Sequence, residues 1–259
     1  MDDLYAQWAR VYDYFYADRT AEIDFWARIA QPFGRRLLDL MCGTAEVSLG
    51  LARAGYQIVG LDLSASMLSV GTERLSAAAD YPARNLRLAC ATACAIPSRK
   101  GAFDFALVGG NGSFNHLDRG QAERALRELR RVLRPGGGMG LELVNPSLLK
   151  EIYPERVFGP LRPTPPGVSV EKTSSNCYDA DQGLLDIHQV TRYEIDGQAG
   201  EFEESFALYV WQPEEVGTML QEAGFVDAQL YGDYDLAPFE RWSSDLLMLA
   251  STPGSGPAV

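Results

Sequence analysis

Two short runs, Leu37-Leu38-Asp39-Leu40 and Ile58-Val59-Gly60-Leu61-Asp62, flank a stretch of helical character from Glu46 to Ala54 that ends at Gly55. Runs so short and apolar suit strands buried on both faces, the habit of parallel sheets. Parallel neighbours need a crossover, and the intervening helix supplies it, right-handed as such connections are. The rhythm repeats. Ser64 or Ser66 can cap a helix running towards Ala79, and Leu86 to Cys90 and Phe103 to Val108 read as strands. A helix from Gln121 to Leu133 then stops at Arg134-Pro135-Gly136-Gly137-Gly138, and Met139 to Val144 reads as a fifth strand. The first 30 residues read as helix, on the spacing of Tyr5, Trp8 and Tyr12 and then of Phe25 and Ile29, up to a turn at Gln31-Pro32-Phe33-Gly34. The expectation is an α/β fold, a Rossmann-like sheet covered by helices on both faces.

The pattern then changes. Between Pro154 and Gly167, Pro160, Pro163, Pro165 and Pro166 break any regular element. Three β-like runs follow, Val168 to Tyr178, Leu184 to Ile195 and Glu201 to Trp211, with turn signals at Asp181-Gln182-Gly183 and Asp196-Gly197. An antiparallel β insertion at 146–212 is expected to roof the pocket of a single domain spanning 1–259. Pro213 can open a helix ending at Gly224, and strands at Val226 to Tyr231 and Leu246 to Ala250 would bring the main sheet to seven. The tail from Thr252 to Val259 is expected to fray.

Charge and cysteine usage narrow the partners. With 35 acidic and 23 basic side chains the net charge is −12, which disfavours a nucleic-acid backbone or an anionic membrane. Met1-Asp2-Asp3 has the wrong charge to open a secretory signal, and no apolar stretch reaches membrane-span length. A cytoplasmic protein is the expectation. Cys42, Cys90, Cys94 and Cys177 form no C-x-x-C pair and the chain has two histidines, so no metal site is expected. Cys90 and Cys94 are expected to be buried as small hydrophobes. Whether the protein forms a homo-oligomer stays open.

The chemistry concentrates after the first strand. Leu38-Asp39-Leu40-Met41-Cys42-Gly43-Thr44-Ala45-Glu46 joins strand to helix, and Asp62 ends the next strand 19 residues after Gly43. A tight turn there presents backbone N–H groups to a ligand, and an acidic residue at that distance can accept two ribose hydroxyls. The dinucleotide fingerprint is absent, since Gly43 is the only glycine in the turn. Glu46 puts a negative charge where a pyrophosphate would sit, so a nucleoside without phosphates fits better. A nicotinamide oxidoreductase is disfavoured accordingly.

These residues, with Gly60-Leu61-Asp62-Leu63-Ser64-Ala65-Ser66-Met67-Leu68, resemble the first two motifs of class I S-adenosylmethionine (SAM) dependent methyltransferases. Phe103-Asp104 and Leu133-Arg134-Pro135-Gly136-Gly137 are similar to later motifs of that superfamily. Within it the chain resembles the glycine N-methyltransferase group of small-molecule enzymes. Arg19-Thr20-Ala21-Glu22 with Trp26, Gly110-Asn111-Gly112-Ser113-Phe114-Asn115-His116-Leu117 and Tyr231-Gly232-Asp233-Tyr234 carry that part of the likeness, which spans nearly the whole chain.

The resemblance implies SAM as cofactor and S-adenosylhomocysteine as product. It places Asp62 on the ribose, the backbone of Met41, Cys42 and Gly43 beside the methionine part, and Arg19 on the cofactor carboxylate. Thr92 and Ala93 would border the adenine, Gly109 and Asn111 would line the pocket past the fourth strand, and Tyr12, Asp39, Leu63 and Met67 are further candidate cofactor contacts. Read alone, Arg19 is a solvated helix residue, and Tyr5, Trp8, Tyr12 and Tyr16 are as readily core as pocket. Met41 and Ala45 stand where many family members carry glycine, and Thr92 where an acid often meets the adenine amine.

For the acceptor the residues say less. His116 is the candidate base, and Tyr16, Asn145, Tyr209 and Trp211 are candidate substrate contacts. In the resembled enzyme an arginine ending the fifth strand holds the carboxylate of glycine, and aligning Gly140 to Asn145 puts Val144 there. The expected activity is N- or O-methylation of a metabolite or natural product larger than glycine. A SAM-using enzyme with non-methyl chemistry, or a non-catalytic SAM-binding protein, is the alternative.

Overall fold

The computed structural model describes residues 5–78, 84–110, 112–148 and 155–254. The main sheet contains β1 (Arg36–Leu40), β2 (Gln57–Asp62), β3 (Leu86–Cys90), β4 (Phe103–Val108), β5 (Leu133–Leu143), β10 (Val226–Tyr231) and β11 (Leu246–Ser251). Their order is β10-β11-β5-β4-β1-β2-β3, with β11 antiparallel to both neighbours and every other pair parallel. The order reverses between β1 and β4, which opens a crevice at their carboxyl ends.

Alternation along the buried strands feeds two cores. Leu38, Leu40, Ala106 and Val108 face α4 (Arg119–Val132) and α5 (Pro213–Glu222), meeting Leu126, Leu129, Val216 and Leu220. Leu37, Phe105 and Leu107 face α1 (Thr20–Ala30) and α2 (Glu46–Arg53), meeting Phe25, Trp26, Leu49 and Ala52. Both faces are covered, hence the near-continuous apolar runs. Ser64 is the residue that caps α3 (Ala65–Ala77), accepting the Met67 N–H at 3.1 Å.

Between β5 and α5 a second sheet, order β6-β7-β8-β9, is wholly antiparallel. It comprises β6 (Arg156–Phe158), β7 (Val168–Asp179), β8 (Leu184–Ile195) and β9 (Gln198–Tyr209). Val170 and Phe202 on its inner face pack against Trp8, Phe15 and Met67. This contact joins the sheet to the N-terminal segment.

Several expectations are corrected. The N-terminal helix is instead two 3-10 turns, Trp8–Arg10 and Tyr12–Phe15, with α1 beginning only at Thr20, where the Asp18 carboxylate accepts the Thr20 N–H at 2.8 Å. The aromatic spacing serves packing against the second sheet rather than one face of a helix. The Pro-rich stretch does hold a strand, β6, with its prolines all beyond it. Strand β5 starts at Leu133, because the glycine run can lie flat beneath Phe33 and Phe105, which any Cβ on Gly138 would strike. Cys90 is exposed and Cys94 half-buried, since β3 is the edge of the sheet. Thr252 is buried and tied, its N–H donating to Gly137 O at 2.8 Å and its hydroxyl to Arg134 O at 2.7 Å.

Candidate functional site

Strand β1 ends in a turn that reverses on left-handed backbone. Met41, Gly43 and Ala45 have φ of 64°, 55° and 58°, so two side-chain-bearing residues adopt a conformation that suits glycine. The turn is pinned to β2, with Cys42 N–H donating to Leu61 O at 3.0 Å and Gly43 N–H to Asp62 Oδ2 at 2.8 Å. Asp62 Oδ1 accepts the Ser64 N–H at 2.9 Å. Each carboxylate oxygen therefore holds a backbone donor.

Beside this turn lies a cleft between the ends of β1 and β4. Its floor is Asp39, Met41, Cys42, Gly43 and Gly109, and its cover is Tyr12, Asp13 and Arg19 from the N-terminal segment. Asp13 accepts the Thr44 hydroxyl at 2.8 Å, which closes the cover onto the turn. Arg19 donates to Glu22 Oε2 at 2.6 Å and its guanidinium lies 4.7 Å over the Tyr16 ring.

Three acids are buried at this end of the sheet: Glu22, Asp39 and Glu142. The Gly110 N–H lies 3.2 Å from both Glu22 Oε1 and Glu142 Oε2, while Tyr234 donates to Glu142 Oε1 at 3.1 Å and Ser48 to Asp39 at 2.5 Å. Desolvation dominates the titration of Asp39 and Glu142. Burial pushes Asp39 up to about 7 against its bond from Ser48, and pushes Glu142 up to about 8 with the Glu22 charge adding to it. Gly109 carries no side chain because a Cβ there would sit 2.7 Å from Glu22 Oε1 and 3.2 Å from Trp26 Nε1.

On the side facing the second sheet, Tyr5 OH and His116 Nε2 lie 2.9 Å apart, with the His116 ring 5.5 Å from that of Phe206. Burial lowers His116 to about 4, so its imidazole is neutral near pH 7, and burial raises Tyr5, which keeps its proton. Glu204 shares the inner face of β9 with Phe202 and Phe206, two residues to either side. Burial raises it, the nearby Lys172 lowers it, and its charge acts on Tyr5 and Tyr16.

The structure brings Tyr12, Arg19, Asp39, Met41, Cys42, Gly43 and Gly109 to one cleft. Leu63 is exposed just beyond Asp62, and Met67 packs with Trp8 under the second sheet. Thr92 and Ala93 follow β3, whose last residue Cys90 pairs with Asp62; the Thr92 hydroxyl accepts the Cys94 N–H at 3.2 Å. Tyr16 stacks on Tyr12 at 4.5 Å. Asn111 lies outside the described residues.

Three candidate substrate contacts are otherwise engaged. Asn145 donates to Arg241 O and Ser243 O at 3.3 and 2.8 Å and accepts the Ser147 N–H at 2.9 Å, so its amide staples loops. Trp211 is buried in the core with α5, past the end of β9, and Tyr209 stacks on it at 5.7 Å while its carbonyl accepts from Asn115 at 2.6 Å. Sequence reasoning missed Glu22, Glu142 and Glu204 as site groups. The available signal was an acid inside an apolar period: Glu142 between Leu141 and Leu143, and Glu204 between Phe202 and Phe206.

Among the described residues no group of His, Cys, Asp and Glu is placed to hold a metal ion, and no helix is long and apolar enough to cross a membrane. Residues 37–137 match the family model of a methyltransferase domain. The Bacillus subtilis protein YqeM, whose name gives methyl transfer as an inference only, is 26% identical over 89% of this chain and 90% of its own length. A solved SAM-dependent methyltransferase from Clostridium acetobutylicum superposes with a TM-score of 0.76 at 19% identity, covering 96% of this chain and 99% of that one. The sugar N-methyltransferase KedS8 from a Streptoalloteichus species gives 0.75 at 18% identity, covering 98% and 94%. Both structures share the fold along its full course.

Proposed function

We propose that this class I SAM-dependent methyltransferase of small-molecule type transfers the methyl group to the nitrogen of an amine-bearing acceptor larger than glycine, received beneath the antiparallel sheet. The single domain would then divide into a cofactor half built on the main sheet and an acceptor roof from 146–212.

The cleft fits the cofactor. Asp62, fixed by its bonds from Gly43 and Ser64, would take the ribose hydroxyls, and the bare backbone of Gly43, Gly109 and Gly110 admits close approach. Arg19 would hold the carboxylate with the part of its fork that Glu22 leaves over, and Thr92, Ala93, Leu63 and Met67 would flank the adenine. When bound, SAM supplies a methyl carbon made electrophilic by the adjacent sulfonium. What this chain adds is alignment and exclusion of water, an effect worth about 7–11 kcal/mol at its upper range.

The choice of nitrogen rests on Glu204. Lys172 on β7 already bears on this inward carboxylate, and a carboxylate set between Phe202 and Phe206 also suits a basic acceptor. An amine acceptor arriving as an ammonium would leave its proton on Glu204, which burial raises, before its freed lone pair attacks the methyl carbon. The Tyr5–His116 pair agrees: a neutral imidazole with so low a pKa is too weak a base to ionise a hydroxyl, yet it can orient an amine through a hydrogen bond. The name of KedS8 points to the same chemistry in a protein of the same fold.

The test is release of S-adenosylhomocysteine and a mass gain of one methyl across three acceptor sets: sugar-sized amines, their hydroxyl counterparts, and glycine. Turnover should be confined to the amines. Glycine should fail because Val144, directly after β5, presents an apolar side chain, and burying its carboxylate unpaired would cost several kcal/mol, an order-of-magnitude expectation of about 3–5. Efficient turnover of the hydroxyl set alone would overturn the nitrogen assignment.

A further inference from the structure

Glu46, the acid that opens α2 directly after the left-handed turn, has a specific partner. Arg162, from the Pro-rich segment between β6 and β7, donates from Nη1 to Glu46 Oε1 at 2.9 Å. The same guanidinium donates from Nε to Tyr16 O at 2.8 Å and from Nη2 to Ala17 O at 2.6 Å. All three nitrogens are used, on two elements that are not otherwise continuous. The neighbouring Leu161 N–H donates to Tyr14 O at 2.7 Å. On its other oxygen Glu46 lies 3.7 Å from Arg74, which also pairs with Asp13 of the cover. Arg162 and Glu46 are about four-fifths buried, so their attraction is only partly screened.

We propose that Arg162 is a positioning residue for the cofactor cleft: it straps the N-terminal cover, which carries Tyr5, Tyr12, Asp13 and Arg19, onto the start of α2. The cover must part for a nucleoside cofactor to enter a cleft that Tyr12, Asp13 and Arg19 overlie. The strap holds it shut afterwards. Because Arg162 leads into the β7–β9 roof, the contact also couples closure over the cofactor to the seating of the acceptor roof. Two backbone carbonyls and one carboxylate make a target that a planar fork of donors meets and a lysine ammonium does not.

The experiment compares wild type, Arg162→Ala and Arg162→Lys in three measurements that need no acceptor: SAM affinity by calorimetry, SAM dissociation rate by stopped flow, and tryptic cleavage after Arg10. Arg162→Ala should weaken SAM about tenfold, mainly through faster dissociation, as expected for losing charge-assisted hydrogen bonds. Cleavage at Arg10 should accelerate, and SAM should protect that bond less than in wild type. Arg162→Lys should fall between the two. Should the alanine variant fail to fold, Glu46→Gln takes its place and should raise the dissociation rate in the same direction. An unchanged dissociation rate in the folded variant overturns the proposal, as do Lys and Ala variants that behave alike. The inference rests on the cofactor reading, but not on the acceptor: absence of amine methylation would leave these measurements standing, whereas absence of any SAM binding in wild type would sink both.

Discussion

Gly43 and Asp62 are held face to face by one bond, the Gly43 N–H donating to Asp62 Oδ2 at 2.8 Å across two strands. The bond makes the turn after β1 and the end of β2 a single unit. On the proposed ribose role, a change at Asp62 should act on the cofactor twice, by removing its own contacts and by releasing the turn. Charge-assisted hydrogen bonds contribute about 1.5–3 kcal/mol each, so Asp62→Ala should weaken SAM tenfold or more. Asp62→Asn should not rescue, because its amide N–H would face either the Gly43 or the Ser64 N–H, donor against donor. Calorimetry finding either variant unchanged would reject the ribose assignment.

The pairing of Arg19 with Glu22 and its proposed hold on the cofactor carboxylate can be separated. Its pairing with Glu22 neutralises a carboxylate that is only 2% exposed. Removing one partner of a buried pair typically costs about 3–5 kcal/mol, so Arg19→Ala should lower the unfolding midpoint as well as SAM affinity. Pairing it with Glu22→Gln should restore much of the stability and none of the affinity. Decarboxylated SAM should bind wild type and the double variant alike. Equal losses for both cofactors would mean that Arg19 acts through packing.

The parallel half of the fold was legible because burial on both faces leaves a strong mark: Leu37 to Leu40 and Phe103 to Val108 have almost no polar residue to confuse their period. The cover was not. Tyr5, Trp8 and Tyr12 fit a helical repeat, yet they serve contacts to a sheet more than 150 residues away, such as Trp8 on Phe202, and local periodicity carries no trace of that. The cofactor turn was visible in Gly43 and Asp62. Its strain was not, since only coordinates reveal that Met41 and Ala45 take up the backbone of glycine. Asn145 read as a pocket residue by its place at a strand end, and the loop carbonyls that claim it come from Arg241 and Ser243.

Stability should depend on pH through two buried groups with opposite signs. His116 titrates at about 4 in the fold, below its unfolded value of about 6.5. The unfolded chain binds the extra proton between those values, so stability falls as pH drops from about 6.5 to 4, by up to about 3 kcal/mol. Glu142 is pushed up to about 8 from the ordinary glutamate range, so its contribution is present at low pH and is lost as pH rises towards 8. Urea midpoints for His116→Phe should be flatter on the acid side, and for Glu142→Gln flatter on the alkaline side. A Glu142→Gln profile that parallels wild type between pH 5 and 9 would place the alkaline loss elsewhere.

The two left-handed residues of the turn give the sharpest contrast between stability and affinity. A side chain in that region costs about 1–2 kcal/mol, while glycine costs about 0.4–1 kcal/mol through the freer unfolded chain. Ala45 is buried with little side chain to lose, so Ala45→Gly should be neutral or stabilise by up to about 1 kcal/mol. A bulkier change is disfavoured: Ala45 is buried, and Ala45→Val adds branching to a strained φ of 58°. Met41 differs because its side chain both lines the cleft and packs on the main core. In Met41→Gly the relieved strain and the lost packing should nearly cancel in the unfolding midpoint. The cleft gains the volume of the thioether chain, so SAM should bind about threefold tighter or better, near 0.7 kcal/mol by the usual conversion of about 1.4 kcal/mol per tenfold. Calorimetry on the folded variant decides. Weaker binding in Met41→Gly would make the thioether a contact that holds the cofactor, and the departure from glycine at this position an adaptation rather than an obstruction.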